Sequence, residues 1–297
     1  MPELPDITVY IEALERHVCG VVLRDLTIVS PFVLRTVDPA PAELIGTRIT
    51  SIRRLGKRIV FAFEHERFLV IHLMIAGRFK WYDSSAKSPT LNRRLALAAL
   101  VFESGTLVLT EAGTKKRASI SIVHGEAALI EFDRGGLEVL ESSRDEFTAR
   151  LRSENHTLKR ALADPRLFSG IGNAYSDEIL HRARLSPMTL TSRLTDEQIT
   201  LLHVATRATL TEWTDRLRLA AGDGFPEKVT AFRPEMAVHG RYKLPCPICF
   251  MPVQRIRYAD NETNYCASCQ TGGKLLADRA MSRLLKQDWP RSIDELV

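Results

Sequence analysis

Four cysteines close to the C-terminal end of the sequence have the spacing of a metal site. They form the pattern C-x2-C-x16-C-x2-C and are Cys246, Cys249, Cys266 and Cys269. Two C-x2-C pairs bring four thiolates within reach of one tetrahedral Zn²⁺, and the residues between the pairs can form the hairpin that joins them. Because cysteine fills all four ligand positions, we expect one structural zinc ion per chain. The alternative is four free cysteines in the protein core.

Positively charged residues surround this four-cysteine segment. They are Arg255, Arg257, Lys274 and Arg279. Such a group can form a surface that binds the phosphates of a nucleic acid. The same charges also occur on ordinary solvated faces, so the charges alone leave both interpretations open.

The second candidate for chemistry is the amino-terminal pair Pro2 and Glu3. Removal of the initiator methionine leaves a secondary amine on Pro2, beside a carboxylate. An amine of this kind attacks an aldehyde-like carbon and forms an iminium, as lysine Schiff-base enzymes do, and the pKa of an α-amino group is far below that of lysine. A proline at position two is also commonly just a rigid residue, so the pair alone does not establish a function.

Two further segments can hold phosphates. Lys57 lies in a basic run at 53–58, directly before a strongly apolar predicted strand. A run of this kind contacts phosphates or protects the edge of a sheet. The second segment, 170–173, stands between two predicted helices. Its backbone N–H groups can cradle a phosphate at a helix N-terminus, or it is a tight turn between helices.

The N-terminal part of the sequence is predicted to form one helix and then a β-sandwich or barrel. Apolar residues recur at helical spacing over 7–18, after the start signals Pro5 and Asp6. Short alternating or fully apolar runs follow between about 47 and 132, with turn signals between them, and predict hairpins. These runs are 49–52, 59–63, 68–71, 97–102, 107–109 and 120–122.

A polar stretch at 138–146 marks a predicted boundary, after which the helical period dominates. The capping-box sequence at 195–198 precedes a long predicted helix, whereas 221–243 is irregular and rich in glycine and proline. Shorter helices are predicted around 147–151, 158–162 and 174–183. The sequence therefore divides into 1–137, 138–240 and 241–297.

Taken together, these features resemble the Fpg/Nei family, which comprises formamidopyrimidine-DNA glycosylase and endonuclease VIII. The resemblance covers nearly the whole length. The matching segments are Pro2-Glu3-Leu4-Pro5, Leu55-Gly56-Lys57, His72-Leu73 with the loop Met74-Ile75-Ala76-Gly77, Ser169 to Tyr175 with Glu178, and the four-cysteine finger that ends Tyr265-Cys266-Ala267-Ser268-Cys269-Gln270.

The resemblance implies an α+β multidomain fold. An N-terminal helix and β-sandwich form the catalytic domain at 1–137, a helix–two-turn–helix DNA-binding domain spans 138–240, and 241–297 forms a zinc finger. It implies a bifunctional DNA glycosylase/AP lyase of base excision repair that removes oxidised bases from damaged double-stranded DNA and cuts the strand by β- and δ-elimination.

The resemblance also implies roles for individual residues. Pro2 is the expected nucleophile and Glu3 the general acid/base, while Lys57 and Asn173 hold phosphates that flank the lesion. Extrusion of a base leaves a hole in the duplex, which an apolar side chain can fill. That side chain is expected to be Met74 or Ile75. The remaining two residues, Tyr175 and Glu178, either support the helix–two-turn–helix region or line the base pocket.

Several positions depart from the family pattern. The second void-filling loop lacks its usual aromatic residue, so Lys116 or Arg117 is the candidate to fill the gap beside the orphaned base. Asn261 stands where the family finger has an arginine that grips a phosphate. A neutral amide cannot make that charged contact, so the role is vacant or has passed to Arg255 or Arg257.

These departures leave the preferred lesion open. The segment 221–236 differs from the loop that covers 8-oxoguanine in Fpg enzymes, so oxidised purines and oxidised pyrimidines both remain candidates. A protein that binds lesions without cutting DNA is the main alternative. A zinc-ribbon transcription module uses only the four cysteines and leaves Pro2 and Glu3 unexplained.

Composition is compatible with this interpretation. The 297 residues are 45% hydrophobic and 26% charged, which suffices for two folded domains. The net charge of +5 permits an anionic partner without establishing one. No stretch approaches the roughly 20 apolar residues of a membrane span, and the amino terminus does not have the pattern of a targeting segment. We expect a monomer in the cytoplasm, associated with the nucleoid in a bacterium, with no membrane partner.

Overall fold

The computed structural model describes residues 1–85, 91–92, 94–227, 229–230, 232–258, 261–276 and 291–296. The chain folds into two compact units. The first consists of Met1–Arg134 and Trp213–Thr230, and the second of Gly135–Glu212 and Ala231–Val297. Across the part of the chain that is described, no helix has the length and apolar character needed to cross a membrane.

The first unit begins with helix α1, Leu4–Val18, as the sequence predicts. Its apolar residues recur every three or four positions and form one buried stripe against the unit's core. At the start of the helix, the backbone N–H of Glu3 donates to Oδ2 of Asp6 at 3.0 Å. This bond satisfies a backbone donor and fixes the position at which the chain enters the helix.

Two four-stranded antiparallel sheets follow and confirm the predicted β-sandwich. One sheet has the order β1-β6-β7-β5 and the other β2-β3-β4-β8. Side chains from both sheets and from α1 meet in one core. The strands are β1 Leu23–Ile28, β2 Ile49–Leu55, β3 Arg58–Phe63, β4 Arg67–His72, β5 Gly77–Asp83, β6 Ala96–Phe102, β7 Gly105–Glu111 and β8 Ser119–His124.

The sequence patterns did not predict β1 and β5. These two strands form the two edges of the same sheet, where one side of the backbone is unpaired and polar side chains are common. The sequence of β1 is LRDLTI and that of β5 is GRFKWYD, so neither has the apolar run that identifies the central strands. Edge position therefore explains why hydrophobic patterning missed them.

Helices dominate the second unit, and each predicted helix is present. They are α2 Arg144–Arg152, α3 Leu158–Ala163, α4 Asn173–Arg182 and α5 Asp196–Ala221. At the start of α2, the backbone N–H of Ser143 donates to Oε2 of Glu146 at 2.8 Å, which is one half of a capping box. Helix α5 continues beyond the predicted apolar pattern, and its residues from Trp213 onward belong to the first unit.

The four-cysteine segment is built on a short hairpin, as its sequence predicts. Strands β9, Gln254–Tyr258, and β10, Asn261–Tyr265, pair antiparallel, and helix α6, Ala267–Thr271, follows. Ile256 and Tyr265 lie in a small apolar core with Leu275 and Ile293. The three-domain division at 137 and 240 stays a prediction, since the two observed units divide the chain differently.

Candidate active site and metal cluster

Pro2 and Glu3 are buried immediately before α1. Glu3 is 2% exposed and has an extended backbone conformation with φ −119° and ψ −173°. Its carbonyl oxygen accepts the N–H of Ile7 at 2.9 Å and thereby begins the helix. The helix start therefore holds the backbone of the Pro2-Glu3 pair in one conformation.

The environment of the amino terminus favours its neutral form. Burial lowers the pKa of the amino group of Met1, and the charges of Arg78 and Lys57 lower it further, whereas the carboxylates of Glu3 and Asp6 raise it. A lowered pKa leaves more of the amine unprotonated at neutral pH, as a nucleophile requires.

Lys57 lies in the tight turn between β2 and β3, beside Gly56, which has a φ of +61°. The lysine is half-buried. On the neighbouring strand β4, His72 pairs in register with Arg58. Burial, Arg58 and Lys57 lower the pKa of His72 to about 4, so its imidazole is neutral at pH 7.

The loop after His72 projects an apolar side chain outward. Met74 has a φ of +51°, and Ile75 is 55% exposed. At Gly77, a Cβ atom would lie 2.2 Å from the carbonyl oxygen of Leu73, so a side chain at that position would clash. Ile75 is therefore the more exposed of the two predicted wedge residues. The close approach at position 77 explains why the turn has glycine there.

Arg78 is a site residue that the sequence analysis missed. Its guanidinium donates to the carbonyl oxygen of Ile75 at 3.1 Å and to that of Gly77 at 2.6 Å. It also donates to the carbonyl oxygen of Val229. Backbone acceptors leave no signal in a sequence, so residue types and spacing could not identify this arginine.

The loop proposed to fill the second gap is organised by Glu111, which is 1% exposed. The carboxylate of Glu111 accepts the backbone N–H groups of Arg117 at 2.8 Å and Ala118 at 3.0 Å. The ammonium of Lys116 donates to the carbonyl oxygen of Glu111. Of the two predicted gap-filling residues, Lys116 thus folds back onto its own loop, whereas Arg117 is exposed.

Asn173 is the first residue of α4 and is half-buried. Its backbone carbonyl accepts a hydrogen bond from Nζ of Lys159 at 2.6 Å, and the same Nζ donates to Oδ1 of Asp177 at 2.5 Å. The preceding turn uses Gly170 at a φ of +78°. A side-chain amide at a helix N-terminus is a suitable anion contact. The hydrogen bond from Lys159 fixes the backbone of Asn173.

The second half of this network involves Asp177 and Glu178. Oδ2 of Asp177 accepts from Nδ1 of His239 at 2.8 Å and from the backbone N–H of Asn264 at 3.1 Å. Glu178 accepts three backbone N–H groups at 2.7 to 2.9 Å, from residues 237–239. Burial raises the pKa of Glu178, and these three donors oppose that shift.

These contacts bear on the two predicted roles of Tyr175 and Glu178. Both side chains are buried on α4, and Tyr175 is 1% exposed. The oxygens of Glu178 hold the segment 237–239 against the helix. This arrangement favours structural support of the helical unit over a place in the wall of a base pocket.

The four predicted metal ligands come together in the second unit. All four Sγ atoms lie within 4.8 Å of one another, with 3.3 Å between Cys249 and Cys266 and 3.9 Å between Cys246 and Cys269. Zn–S bonds of about 2.3 Å in a tetrahedron place sulfur atoms about 3.8 Å apart. The cluster can therefore bind a metal ion, and its geometry and thiolate donors suit zinc.

The environment of the cluster is apolar on one side. Val238 and Val253 pack against the buried Cys246 and Cys266. Although burial opposes ionisation, the backbone N–H of Met251 and neighbouring hydrogen bonds lower the pKa of the Cys249 thiol to about 7. Burial raises the pKa of Cys269 to about 11. Thiolate ligands must lose their protons, so metal affinity here depends on pH.

The three predicted phosphate contacts of the finger differ in how accessible their side chains are. The guanidinium of Arg255 lies 4.1 Å from the ring centre of Tyr242 and 3.5 Å from the carboxylate of Glu262. Arg257 and Asn261 are exposed on the two strands of the hairpin. Arg257 is therefore the more accessible arginine of the two. Arg279 lies outside the described residues.

Comparison with known proteins identifies the family. The family model for the formamidopyrimidine-DNA glycosylase N-terminal domain matches residues 1–116, and that for the H2TH domain of the same enzyme matches residues 137–216. Formamidopyrimidine-DNA glycosylase of Thermus thermophilus is 35% identical over 92% of this chain and 100% of its own length. An uncharacterized formamidopyrimidine-DNA glycosylase-like protein of Mycobacterium tuberculosis is 42% identical over 51% of this chain and 94% of its own length.

Solved structures agree with this assignment. The crystal structure of the MutM (Fpg) protein from T. thermophilus is 32% identical and covers 91% of this chain and 98% of its own, with a TM-score of 0.75. Lactococcus lactis Fpg in complex with DNA containing an abasic site has a TM-score of 0.77 over 91% of this chain and 99% of its own; at 23% identity it shows the fold. The chain belongs to the formamidopyrimidine-DNA glycosylase family of DNA-repair glycosylases.

Proposed function

We propose that the protein is a bifunctional DNA glycosylase/AP lyase that removes oxidised bases through a Schiff base on the amino group of Pro2. The observation that carries this proposal is the setting of the amino terminus. The terminal amine of the chain is that of Met1; it is partly buried, and burial and the charges of Arg78 and Lys57 lower its pKa. Removal of Met1 would leave the amine of Pro2 in these surroundings, beside Glu3 at the start of α1. These surroundings would give a weakly basic amine next to the carboxyl group of Glu3, in a member of a glycosylase family.

The reaction starts once Met1 has been removed, because an amide nitrogen at Pro2 has no available lone pair. The Pro2 nitrogen forms a bond to C1′ of the damaged nucleotide as the glycosidic bond breaks. The base leaves with the electron pair of that bond and takes up the proton that the Pro2 nitrogen loses. Glu3 donates a proton to the ring oxygen of deoxyribose. The ring opens and leaves an iminium between the Pro2 nitrogen and C1′.

Strand cleavage follows from the same iminium. The positive nitrogen acidifies the protons on C2′, and loss of one of them expels the 3′ phosphate by β-elimination. A second elimination then expels the 5′ phosphate. Both eliminations break C–O bonds and use the iminium as the electron sink, so they need no metal ion at the reacting carbon.

The proposed DNA contacts hold the nucleotide outside the helix. Extrusion costs a few kcal/mol in lost stacking and pairing, and phosphate contacts by Lys57 and Asn173 offset that cost. Ile75, supported by Met74, enters the vacated space, as apolar wedges do in other DNA-binding proteins. The remaining proposed contacts are Arg117, with Lys116 as the alternative, and Arg257, Arg255 and Asn261 on the finger.

The names of the relatives favour one class of lesion. The T. thermophilus relative is named for formamidopyrimidine, and the titles of solved relatives describe DNA that carries Fapy-dG or 8-oxo-G. We propose oxidised purines as the first substrates to test. Oxidised pyrimidines are the alternative because the segment 221–236 differs from the family's covering loop.

Zinc has a structural role in this proposal. The cysteines at 246, 249, 266 and 269 would hold one Zn²⁺ with no open position, which stabilises the finger and supplies no reaction step. The protein acts as a monomer on damaged double-stranded DNA. Its named relatives from Desulforamulus and Thermus are bacterial, and we place it with the DNA in the bacterial cytoplasm.

Trapping with borohydride tests the proposal. Duplexes with an abasic site, 8-oxoguanine, a formamidopyrimidine or an oxidised pyrimidine are incubated with protein whose Met1 is absent by intact mass. We expect a covalent adduct and cleaved strand products. The matched control is the same protein with an uncleaved N-terminal extension, in which the Pro2 nitrogen is an amide. Processed protein that binds these duplexes without forming an adduct would instead be a non-cutting lesion binder.

A further inference from the structure

His181 is a buried histidine of α4 that the proposed reaction does not use. It lies two helical turns after Asn173 and is 3% exposed. Its Nε2 atom is 3.3 Å from Sγ of Cys246, which is within hydrogen-bonding distance for a sulfur partner. Cys246 is itself completely buried. A polar side chain of the helix thus meets one of the four sulfur atoms in a dry environment.

Loss of the thiol proton determines the direction of this hydrogen bond. Between a thiol and an imidazole, either atom can act as the donor. A metal-bound cysteine is a thiolate and has no proton to donate. The only hydrogen available to the Nε2–Sγ pair then belongs to the imidazole, so the ring must hold its proton on Nε2.

We propose that Nε2–H of His181 donates a hydrogen bond to the Cys246 thiolate of the metal-loaded cluster and so links metal binding to α4. This inference rests on the proposed zinc site. Four thiolates around a divalent ion have a net charge of −2, and hydrogen-bond donors spread that charge. Outer partners of this type usually contribute about 10- to 100-fold to metal affinity.

Other donors to the sulfur atoms come from the ligand loops themselves. The backbone N–H of Ile248 lies 3.5 Å from Sγ of Cys246, and that of Cys269 lies 3.5 Å from Sγ of Cys266. His181 differs because it is a side chain that comes from another element, 65 residues before Cys246. Its contribution can therefore be removed without altering the ligand loops.

A second contact keeps the finger attached when His181 is changed. The side chain of Gln270 donates to the carbonyl oxygen of Leu185 at 2.9 Å and accepts the backbone N–H of Cys266 at 2.8 Å. A substitution at His181 should thus weaken metal binding and leave the fold intact. Helix α4 also positions Asn173, so metal loading and the proposed phosphate contact share one element.

Metal affinity gives the first test. Zinc is titrated against a chromophoric chelator in the full-length protein, His181→Phe, His181→Gln and the control His203→Phe, which alters another histidine of the same unit. We expect His181→Phe to lose about 10- to 100-fold in affinity, His181→Gln to recover part of the loss through its amide N–H, and His203→Phe to match the parent. Parent-like affinity in folded His181→Phe would overturn the inference.

Nuclear magnetic resonance gives a direct test of the bond. The protein is loaded with ¹¹³Cd and labelled with ¹⁵N-histidine, and the spectrum is searched for scalar coupling between ¹¹³Cd and the Nε2 proton of His181 through the sulfur atom. Coupling to a histidine Nε2 proton supports the proposal. The absence of that signal in His181→Gln assigns it to His181. A His181 ring with its proton only on Nδ1 contradicts it. Protein that takes up no zinc or cadmium would contradict the metal site itself, which is a separate result.

Discussion

The guanidinium of Arg78 donates a hydrogen bond to the backbone carbonyl of Val229, which is 151 residues further along the chain. The same group holds the carbonyl of Ile75 at 3.1 Å, and its charge acts on the terminal amine. One side chain therefore connects the proposed wedge loop, the segment after α5 and the amino group of Met1, one residue before the proposed nucleophile. All of these groups belong to the first unit.

Arg78→Met should shift the pH dependence of Schiff-base formation to higher pH. The guanidinium lowers the pKa of the Met1 amine, and we expect the same effect on the Pro2 amine once Met1 is removed. Replacing Arg78 therefore raises that pKa and leaves less neutral amine at a given pH. The measurement is the rate of cyanoborohydride trapping on abasic DNA between about pH 5 and pH 9. Arg78→Lys, which keeps the charge, and Arg117→Met, which alters an exposed cation, should both retain the parental midpoint. A parental midpoint in Arg78→Met would remove its electrostatic role.

His72 should make the folded protein less stable as the pH falls from 7 to 5. Its pKa is about 4 in the folded protein and about 6.5 in an unfolded chain. Between pH 7 and pH 5 the unfolded state therefore binds a proton that the folded state does not, and the free energy of unfolding falls by about 2 kcal/mol. Urea unfolding of the parent and of His72→Asn at pH 7 and pH 5 gives the difference. If the free energy of unfolding changed equally between pH 7 and pH 5 in the two proteins, the lowered pKa of His72 would be contradicted.

Gly77→Ala should damage the wedge loop, because the new Cβ would meet the carbonyl oxygen of Leu73 at 2.2 Å. We expect a loss of about 1–3 kcal/mol in the free energy of unfolding and weaker binding to lesion-containing duplexes. Gly224→Ala is the control, since its nearest new contact is at 3.4 Å. Equal stability of both variants and the parent would show that the loop tolerates a side chain.

Lys159→Met should destabilise the second unit by about 3 kcal/mol or more, because it leaves the buried carboxylate of Asp177 without its cation. The double variant Lys159→Met/Asp177→Asn removes both charges and should recover much of the loss. Chemical unfolding of the parent, Lys159→Met, Asp177→Asn and the double variant gives the coupling energy between the two sites. Additive effects would mean that the pair is not coupled.

Cys249→Ser should reduce the bound zinc from one ion per chain to less than one, with loss of DNA affinity, because a structural site needs all four thiolates. Cys19→Ser is the matched control, since Cys19 is exposed and outside the cluster. Metal analysis after gel filtration distinguishes them. Full zinc content in Cys249→Ser would refute the four-thiolate site.

The sequence alone predicted the elements whose residues repeat regularly. Strands such as β3 and β4 have uninterrupted apolar runs, and the four cysteines have a diagnostic spacing. It did not reveal β1 and β5, whose edge positions admit polar residues. Arg78 and Glu111 were missed because they bind backbone atoms, and His181 because its partner is distant in sequence.

The central claim is that the nucleophile is the amino group of Pro2, and mapping the trapped adduct tests it most directly. The borohydride-reduced complex is digested and the modified peptide is sequenced by tandem mass spectrometry. We predict a reduced deoxyribose remnant on the nitrogen of Pro2, with Met1 absent. A remnant on the side chain of Lys57, whose charge acts on the amino terminus of the chain, would contradict this claim.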